Sequence, residues 1–473
     1  MPDSNNNSYV VISGGTGANS FVSAFGSSPA FVLPVSDDGG SSAEILRCFG
    51  GPSIGDIRSR LIRLIPVVQD ADSIEDKEIE AIYNLMAFRF PADVPDKLSK
   101  DIWEEIVEGR GSLWQDIGED KRECIRAFLV HFQTLCLRRA HKRFSFRNFS
   151  LGNGFLTGAR ELFGSLPSAI FLFKSIAGLN AGVQVIPVIN TNHTITIAAK
   201  LANDHTLVGQ CNISHPIPAA ETLNGTSDTL LRQPHPVSQA ALLLHSRRRD
   251  SRTFDTTSFL SSVDTSSFDE IRGSLDTPVE TASDGNLGYR KGEHEEPLEA
   301  PIERIFYINP YGQEIFPDPN PSFLAALSSR STLVYSCGSL YTSIVPTLAL
   351  RGVATAIATS STLRAKVLFL NVVNDRETPG YTAIEYVDAV VSTLRRSDRP
   401  HKHGTSRGNG SAWPDSKLVS HLVYLEEGAV EVDPAAIEAL GVKIVMVPKN
   451  IYGDTTLFSQ QAVQWAMAQI LPT

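Results

Sequence analysis

Tyr9–Phe25 reads YVVISGGTGANSFVSAF, Ala30–Gly51 reads AFVLPVSDDGGSSAEILRCFGG, and Pro52–Pro66 reads PSIGDIRSRLIRLIP. The apolar runs Tyr9–Ile12 and Ala30–Val35 have the length and β-branched content of buried parallel strands. Each runs into a glycine-rich loop, and each loop opens a stretch with helical spacing. In the first loop Gly14, Gly15, Thr16 and Gly17 leave the backbone bare, so amide N–H groups can approach an anion where a helix starts near Asn19. In the second, Ser36-Asp37-Asp38-Gly39-Gly40-Ser41-Ser42 places two carboxylates at a strand's carboxyl end, the edge where open α/β sheets bind ligands. In the third, Asp56 follows Gly55 as a natural N-cap and is itself followed by Arg58, Arg60 and Arg63. Three such turns so close together point to a nucleotide or phosphate site.

Two other readings of these loops stay open. Asp37 lies twenty residues beyond Gly17, where a dinucleotide fold carries its ribose-binding acid, although a plain NAD site calls for neither DGGSS nor GDIR. The Asp37–Asp38 pair also suits a turn with a helix cap.

Going outward, 42% hydrophobic residues suit a soluble globular chain with a sizeable core. A formal net charge of −10 argues against a general nucleic-acid binder. No run of eighteen apolar residues occurs, so no membrane partner is expected. The opening MPDSNNNS lacks the charged and apolar regions of a signal peptide. Cys48, Cys124, Cys136, Cys211 and Cys337 are scattered and contain no CxxC pair. They read as reduced thiols of a cytoplasmic protein.

Along the chain, Ile74–Arg89, Ile102–Val107 and Lys121–His141 carry helical spacing, with Trp103 and Trp114 expected as core residues. Leu151–Leu179 reads as helices broken near Pro167. Val183–Ile189, Thr194–Leu201 and Thr206–Ile213 suggest an antiparallel meander, with His193 in a surface turn. Residues 216–300 are polar and poor in clustered apolar groups, and read as a mostly disordered insert. Residues 395–417 read as a second polar insert. Between them, Thr332–Ser336 is a strand candidate leading to Gly338, Ser339, Thr342 and Ser343, whose hydroxyls suit a phosphate or sugar. Lys366–Val373, His421–Leu425 and Lys443–Val447 are further strands, and Tyr381–Leu394, Pro434–Leu440 and Leu457–Leu471 are helices. Alternation of strand and helix at both ends predicts an α/β fold with one parallel sheet, capped by the middle helices and the meander. The expected domains are a single unit over 8–215 and 301–473, with a helical region at 66–182 and the meander at 183–215.

GGTG, SDDGGSS and GDIRSRL resemble the signature loops of the CofD/YvcK family. SLGNGFLTGA (Ser150–Ala159), QCNIS (Gln210–Ser214), GSLYTSIVP (Gly338–Pro346) and NVVNDRETPGYTA (Asn371–Ala383) continue the resemblance in order. The resemblance implies a Rossmann-like fold and a homodimer. One branch of the family transfers 2-phospho-L-lactate from a guanosine-diphosphate-type donor to a deazaflavin with a divalent metal. The other binds UDP-sugars and acts in control of carbon metabolism. By this resemblance Asp37, Asp38 and Asp56 would be the catalytic or Mg2+-binding carboxylates. Gly14, Gly15, Thr16, Gly17, Asn19, Gly39, Gly40, Ser41, Ser42, Arg58, Ser150, Asn153, Gly338, Ser339, Thr342 and Ser343 would then line the nucleotide or nucleotide-sugar. Transferase members carry a second aspartate where this chain has Arg58, and GDIR and GSLYTSI resemble the UDP-sugar branch. Cys337 stands in place of the family's usual proline, and Cys211 in place of a glutamate. Two readings follow: a UDP-sugar-type binding protein with a regulatory role, or a 2-phospho-L-lactate transferase-type enzyme.

Overall fold

The computed structural model describes residues 7–66, 73–215, 296–398, 413–453 and 457–471. Its main sheet has the order β11-β10-β9-β8-β1-β2-β3. These strands are β1 (Tyr9–Ile12), β2 (Ala30–Leu33), β3 (Gln184–Pro187), β8 (Thr332–Tyr335), β9 (Ala365–Phe369), β10 (His421–Leu425) and β11 (Lys443–Val447). Every neighbouring pair is parallel. All residues of β2, β8 and β9 are buried, which is why these strands read as unbroken apolar runs rather than as alternation. The chain steps outward from β1 through β2 to β3, then restarts at β8 on β1's other side and steps away to β11. The order therefore reverses between β1 and β8, as in a doubly wound Rossmann-type sheet. A second, antiparallel sheet of order β5-β4-β6-β7 is built from β4 (Thr196–Leu201), β5 (Thr206–Val208), β6 (Ile302–Ile308) and β7 (Glu314–Ile315).

The α/β expectation with a separate small antiparallel sheet is met, but its membership differs. The run Val183–Ile189 is not the first strand of the meander; its Gln184–Pro187 portion pairs in parallel with β2 as the edge of the main sheet. Its outer three strand residues are buried, a burial that alternation with turn residues does not disclose. Thr206–Ile213 is strand only to Val208 and then turns at Gly209 into a short helix, Gln210–Ser214. The antiparallel sheet is completed by β6, which pairs with β4 from Thr196↔Ile308 to Leu201↔Ile302. The first polar insert falls between these partners; its residues 216–295, and 399–412 of the second, lie outside the described residues. Arg395–Ser397 belong to a long helix rather than to the second insert, and Asp415–Leu418 form another turn of helix.

The helices that matter to the site are α1 (Gly40–Phe49), α2 (Gly55–Arg63), α3 (Ile74–Ala87), α4 (Asp96–Val107), α5 (Glu119–Arg138), α6 (Leu151–Phe163), α7 (Leu166–Ile176) and α8 (Gln210–Ser214). The break expected near Pro167 comes two residues earlier: Ser165 accepts from Ser168 N–H and caps α7, with Pro167 in its first turn. Trp103 on α4 is buried in a cluster with Phe90, Phe132, Phe146 and Phe149. Trp114 is buried too, its Nε1 donating to Ile106 O at 2.9 Å. Both tryptophans are core residues, and His193 is exposed in its turn. The five cysteines are free thiols. Among the described residues no single helix is long and apolar enough to cross a membrane.

Candidate functional site

Because the winding reverses between β1 and β8, the loops that follow these two strands open side by side at the carboxyl edge of the sheet. Their contact leaves no room for side chains. A Cβ on Gly17 would sit 2.7 Å from Cys337 O and 3.0 Å from Gly338 Cα, and one on Gly14 would sit 2.5 Å from Ser343 Oγ. The glycines of the first loop are thus demanded by the approach of the β8 loop, besides any approach of a ligand.

Beneath the first loop lies Arg60, fully buried. Its Nη2 donates to Ser13 Oγ and to Gly14 O, each at 3.2 Å, and its guanidinium stands 4.9 Å over the Phe31 ring. Burial lowers its pKa to about 10, opposed by the carboxylate of Asp56. Arg58, two residues earlier on α2, runs instead along α6: a Cβ on Gly152 would stand 3.1 Å from its Cδ.

The three aspartates do not converge on one point. Asp37 accepts Gly39 N–H at 3.1 Å and the Ser42 hydroxyl at 2.7 Å, closing the first turn of α1. It also reaches the start of α2, where a Cβ on Gly55 would run into its Oδ2. Asp56 accepts from Gly15 N–H, while burial and the charge of Asp37 push its carboxyl up to about 7. Asp38 is turned to the other sheet. Its Oδ1 accepts Cys211 N–H at 2.8 Å, capping α8, and burial raises its pKa. Among the described residues no set of three or more His, Cys, Asp or Glu side chains is arranged to hold a metal. Asp37 and Asp56 remain a mutually repelling pair at the first turns of α1 and α2, and two carboxylates are as many as Mg2+ commonly takes from protein beside phosphate and water.

A third helix start joins these two. Ser41 Oγ, on the first turn of α1, accepts Ser150 N–H at 3.1 Å and donates to Asn148 O at 3.2 Å. Ser150 is the N-cap of α6, and Asn153 sits in its first turn; both are buried. The β8 loop meets the site differently. Gly338, at φ +134°, is clamped by Asn371, whose Oδ1 accepts Gly338 N–H and whose Nδ2 donates to Gly338 O, both at 2.9 Å. The turn Leu340–Ile344 is capped by Glu377. Its Oε2 accepts Tyr341 N–H at 2.8 Å and Thr342 N–H at 3.2 Å, and its Oε1 accepts the Thr342 hydroxyl at 2.6 Å. Thr342 is therefore turned toward Glu377, leaving Ser339 and Ser343 as the hydroxyls of this loop. Burial and Asp375 push the Glu377 carboxyl up to about 8.

Buried polar atoms without a partner among the described residues gather around these loops. They include Asn19 Oδ1, Ser36 Oγ, Ser336 Oγ, Ser150 Oγ, Asn153 Oδ1 and two nitrogens of Arg60, Nε and Nη1. Such atoms are rare in folded proteins and call for a water, an ion or a ligand. Ser36 and Ser336, each just past a sheet strand, escape sequence reading because only the topology brings their strand ends to one edge. Asn371 and Glu377 are the supports of the β8 turn that such reading missed. Their signal is an amide and an acid in the loop after a parallel strand, NVVNDRETPG.

Fold and edge together define a doubly wound α/β protein whose strand-end loops meet at the switch point of the sheet. The profile of the CofD family, described as 2-phospho-L-lactate transferase CofD, matches residues 9–449, and the chain belongs to that family. An uncharacterized protein of Saccharomyces cerevisiae is 35% identical over 455 residues, 91% of this chain and 92% of its own. A Nostoc protein named "Putative gluconeogenesis factor" is 30% identical over 159 residues, 33% of this chain and 32% of its own. Two crystal structures from Bacillus halodurans share the fold at 17% identity. One has a TM-score of 0.55, covering 99% of this chain and 100% of that one; the other, of a UPF0052-family member, has a TM-score of 0.54 with 98% of each covered.

Proposed function

We propose that this protein binds a nucleoside-diphosphate compound, a UDP-sugar being the leading candidate, and serves a regulatory role in carbon metabolism in the cytoplasm. The observation that carries the reading is the gathering of unpartnered buried polar atoms at the carboxyl edge, where the first turns of α1, α2 and α6 meet. Helix starts favour anions, and the orphaned hydroxyl and amide groups supply the hydrogen bonds of a sugar or base. Arg58, in the place where transferase relatives carry an aspartate, removes one carboxylate from the vicinity of a diphosphate. The name of the Nostoc relative supports the metabolic setting.

Transfer of a phospho-hydroxyacyl group from a nucleoside-diphosphate donor is the second reading, favoured by the family's description. Asp37 and Asp56 would then hold Mg2+, which neutralises diphosphate charge when bound. The residues of this chain would position donor and acceptor; phosphoryl transfer needs little more from a protein than positioning and charge stabilisation. A thermal-shift panel of nucleotides and UDP-sugars tests the first reading: stabilisation by a nucleoside diphosphate or its sugar ester is expected, and a flat panel overturns it. Steady release of nucleoside monophosphate with candidate acceptors would select the transferase.

A further inference from the structure

α5 buries Ile125, Phe128, Leu129, Phe132 and Leu135 against the body. Its opposite side carries Asp120, Glu123, Ala127, Val130, Thr134 and Leu137, spaced alternately three and four residues apart. This is the 3.5-residue repeat by which one helix offers a straight seam to another. Five of the six are exposed; Thr134 is half-buried and its hydroxyl donates to Val130 O at 2.9 Å. With that bond made inside the helix, the seam from Ala127 to Leu137 asks for no hydrogen bond from outside. Val130 is 43% and Leu137 68% exposed. Five of the twelve exposed large apolar side chains among the described residues lie on α5–α7, namely these two with Leu162, Phe163 and Phe171. Single exposed apolar residues need no account, but their concentration on one helical layer marks an interaction site.

The two ends of the seam differ in sign. Glu119 and Asp120 open α5 and Arg138 closes it, all three exposed. None of their side chains meets a partner among the described residues, whereas Glu123 is already paired with Arg126. Arg139, His141, Lys142 and Arg143 follow directly. Acids at the start and bases at the end also suit the dipole of α5 itself. That accounts for the charges but not for the apolar residues between them. A surface acidic at one end, apolar in the middle and basic at the other is complementary to itself when turned end for end. A second copy of the chain, set antiparallel, meets all three parts at once.

We infer that two copies of this chain pair through α5, antiparallel about a two-fold axis between Ala127 and Val130. Counted from that axis, Ala127 of one copy comes opposite Val130 of the other, and Glu119 opposite Arg138. The two helix dipoles then run in opposite directions, which brings each acidic start beside a basic end. A helix of 20 residues is about 30 Å long and about 10 Å wide, so the seam alone covers about 300 Å2. Each partner in a stable pair commonly gives roughly 800 Å2. The pairing therefore also takes in the end of α6, where Leu162 and Phe163 are 57% and 44% exposed. Phe163 lies 5.5 Å from Phe128 of α5, ring to ring, and so borders the same helix. The family resemblance implies a homodimer without giving it a face; α5 and the end of α6 supply one.

Sedimentation equilibrium of the full chain, native and variant, tests the pairing. The native protein is expected at twice the mass of one chain. Val130→Asp and Leu137→Asp each set a charge into the apolar seam and should raise the dissociation constant by about tenfold or more. Glu119→Arg and Arg138→Glu should each raise it by about threefold. The chain carrying both exchanges should return to near the native value, because a two-fold axis sets each of these residues against the other. Tyr311→Ser, on the exposed turn between β6 and β7, should leave it unmoved. Circular dichroism checks that each variant is folded; should one seam variant fail, the other and the charge exchange carry the test. A native chain that stays monomeric at the highest concentration reached overturns the inference. So does a dimer that Val130→Asp and Leu137→Asp leave intact, or one that only Tyr311→Ser takes apart. A double exchange no tighter than the single ones overturns the antiparallel arrangement.

Discussion

Asp37 and Asp38 are neighbours in the chain, yet they bond to different elements. Asp37 closes α1 and faces the start of α2; Asp38 caps α8, accepting an amide 173 positions away. No local pattern distinguishes the two, because the difference is made by the antiparallel sheet that delivers Cys211 to the loop. Gly14, Gly17 and the SDDGGSS loop were legible because glycines and acids after a strand carry their own meaning. Arg60 was not separable from Arg58, since two residues along a helix points a side chain elsewhere only once the packing is known. A division of labour follows. With Mg2+ present, nucleotide affinity should exceed that in chelator for the native protein, and Asp37→Asn should shrink that difference while leaving the fold intact. Asp38→Ala should leave the Mg2+ dependence unchanged and instead lower stability by about 0.5–2 kcal/mol through the lost cap. Titrations in magnesium and in chelator, with urea unfolding of each variant, read both effects. Equal native affinity in chelator would remove the cation from this site and with it the transferase reading's cofactor.

At the scale of elements, the turn after β8 and the start of α6 are each held by residues from outside the candidate site's loops. Glu377 caps the first from the loop after β9. Its carboxyl, ordinarily near 4.5, is raised to about 8 by burial and Asp375. Between those values the native state holds a proton that the unfolded chain releases. Its contribution to stability is therefore whole below about 4.5 and is lost as pH climbs through about 8. Urea unfolding across pH 5–9 should show the native protein losing stability relative to Glu377→Gln as pH rises; parallel curves would mean that Glu377 does not titrate in this range. The start of α6 leans on the aromatic cluster. Phe149 immediately precedes Ser150, lies 6.2 Å from Trp103 ring to ring, and is 1% exposed. Trp103→Ala should cost about 3–5 kcal/mol by opening a cavity. It should also weaken UDP-glucose binding, since Ser150, a candidate ligand residue and the N-cap of α6, follows Phe149. Denaturant unfolding and calorimetry check the pair, and a stability loss with unchanged affinity would detach the cluster from the site.

At the scale of the whole molecule, the sheet order was legible only as alternation of strand and helix. Which runs share a sheet was not, because a short apolar run buried on both faces looks the same whichever partner it takes. Gln184–Pro187 joins the main sheet, and Ile302–Ile308 takes its place beside β4. That second pairing fixes what the residues between can contribute. The contacts holding β6 to β4 lie on either side of residues 216–295, as do α8 before them and Leu298, buried just before β6. Glu296 O accepts from Arg376 on the return. Removing residues 224–295 and bridging the gap with a short Gly/Ser segment keeps every one of these partners. A shorter connection between paired strands lowers the entropy cost of closure by about 1–2 kcal/mol, since that cost grows with the logarithm of loop length. The shortened protein should therefore unfold at the same temperature or a slightly higher one, and should bind UDP-glucose with the affinity of the full chain. A midpoint lower by more than about 4 °C would mean that the excised residues pack on the body, and weakened UDP-glucose binding in a stable shortened protein would place part of the ligand site within them.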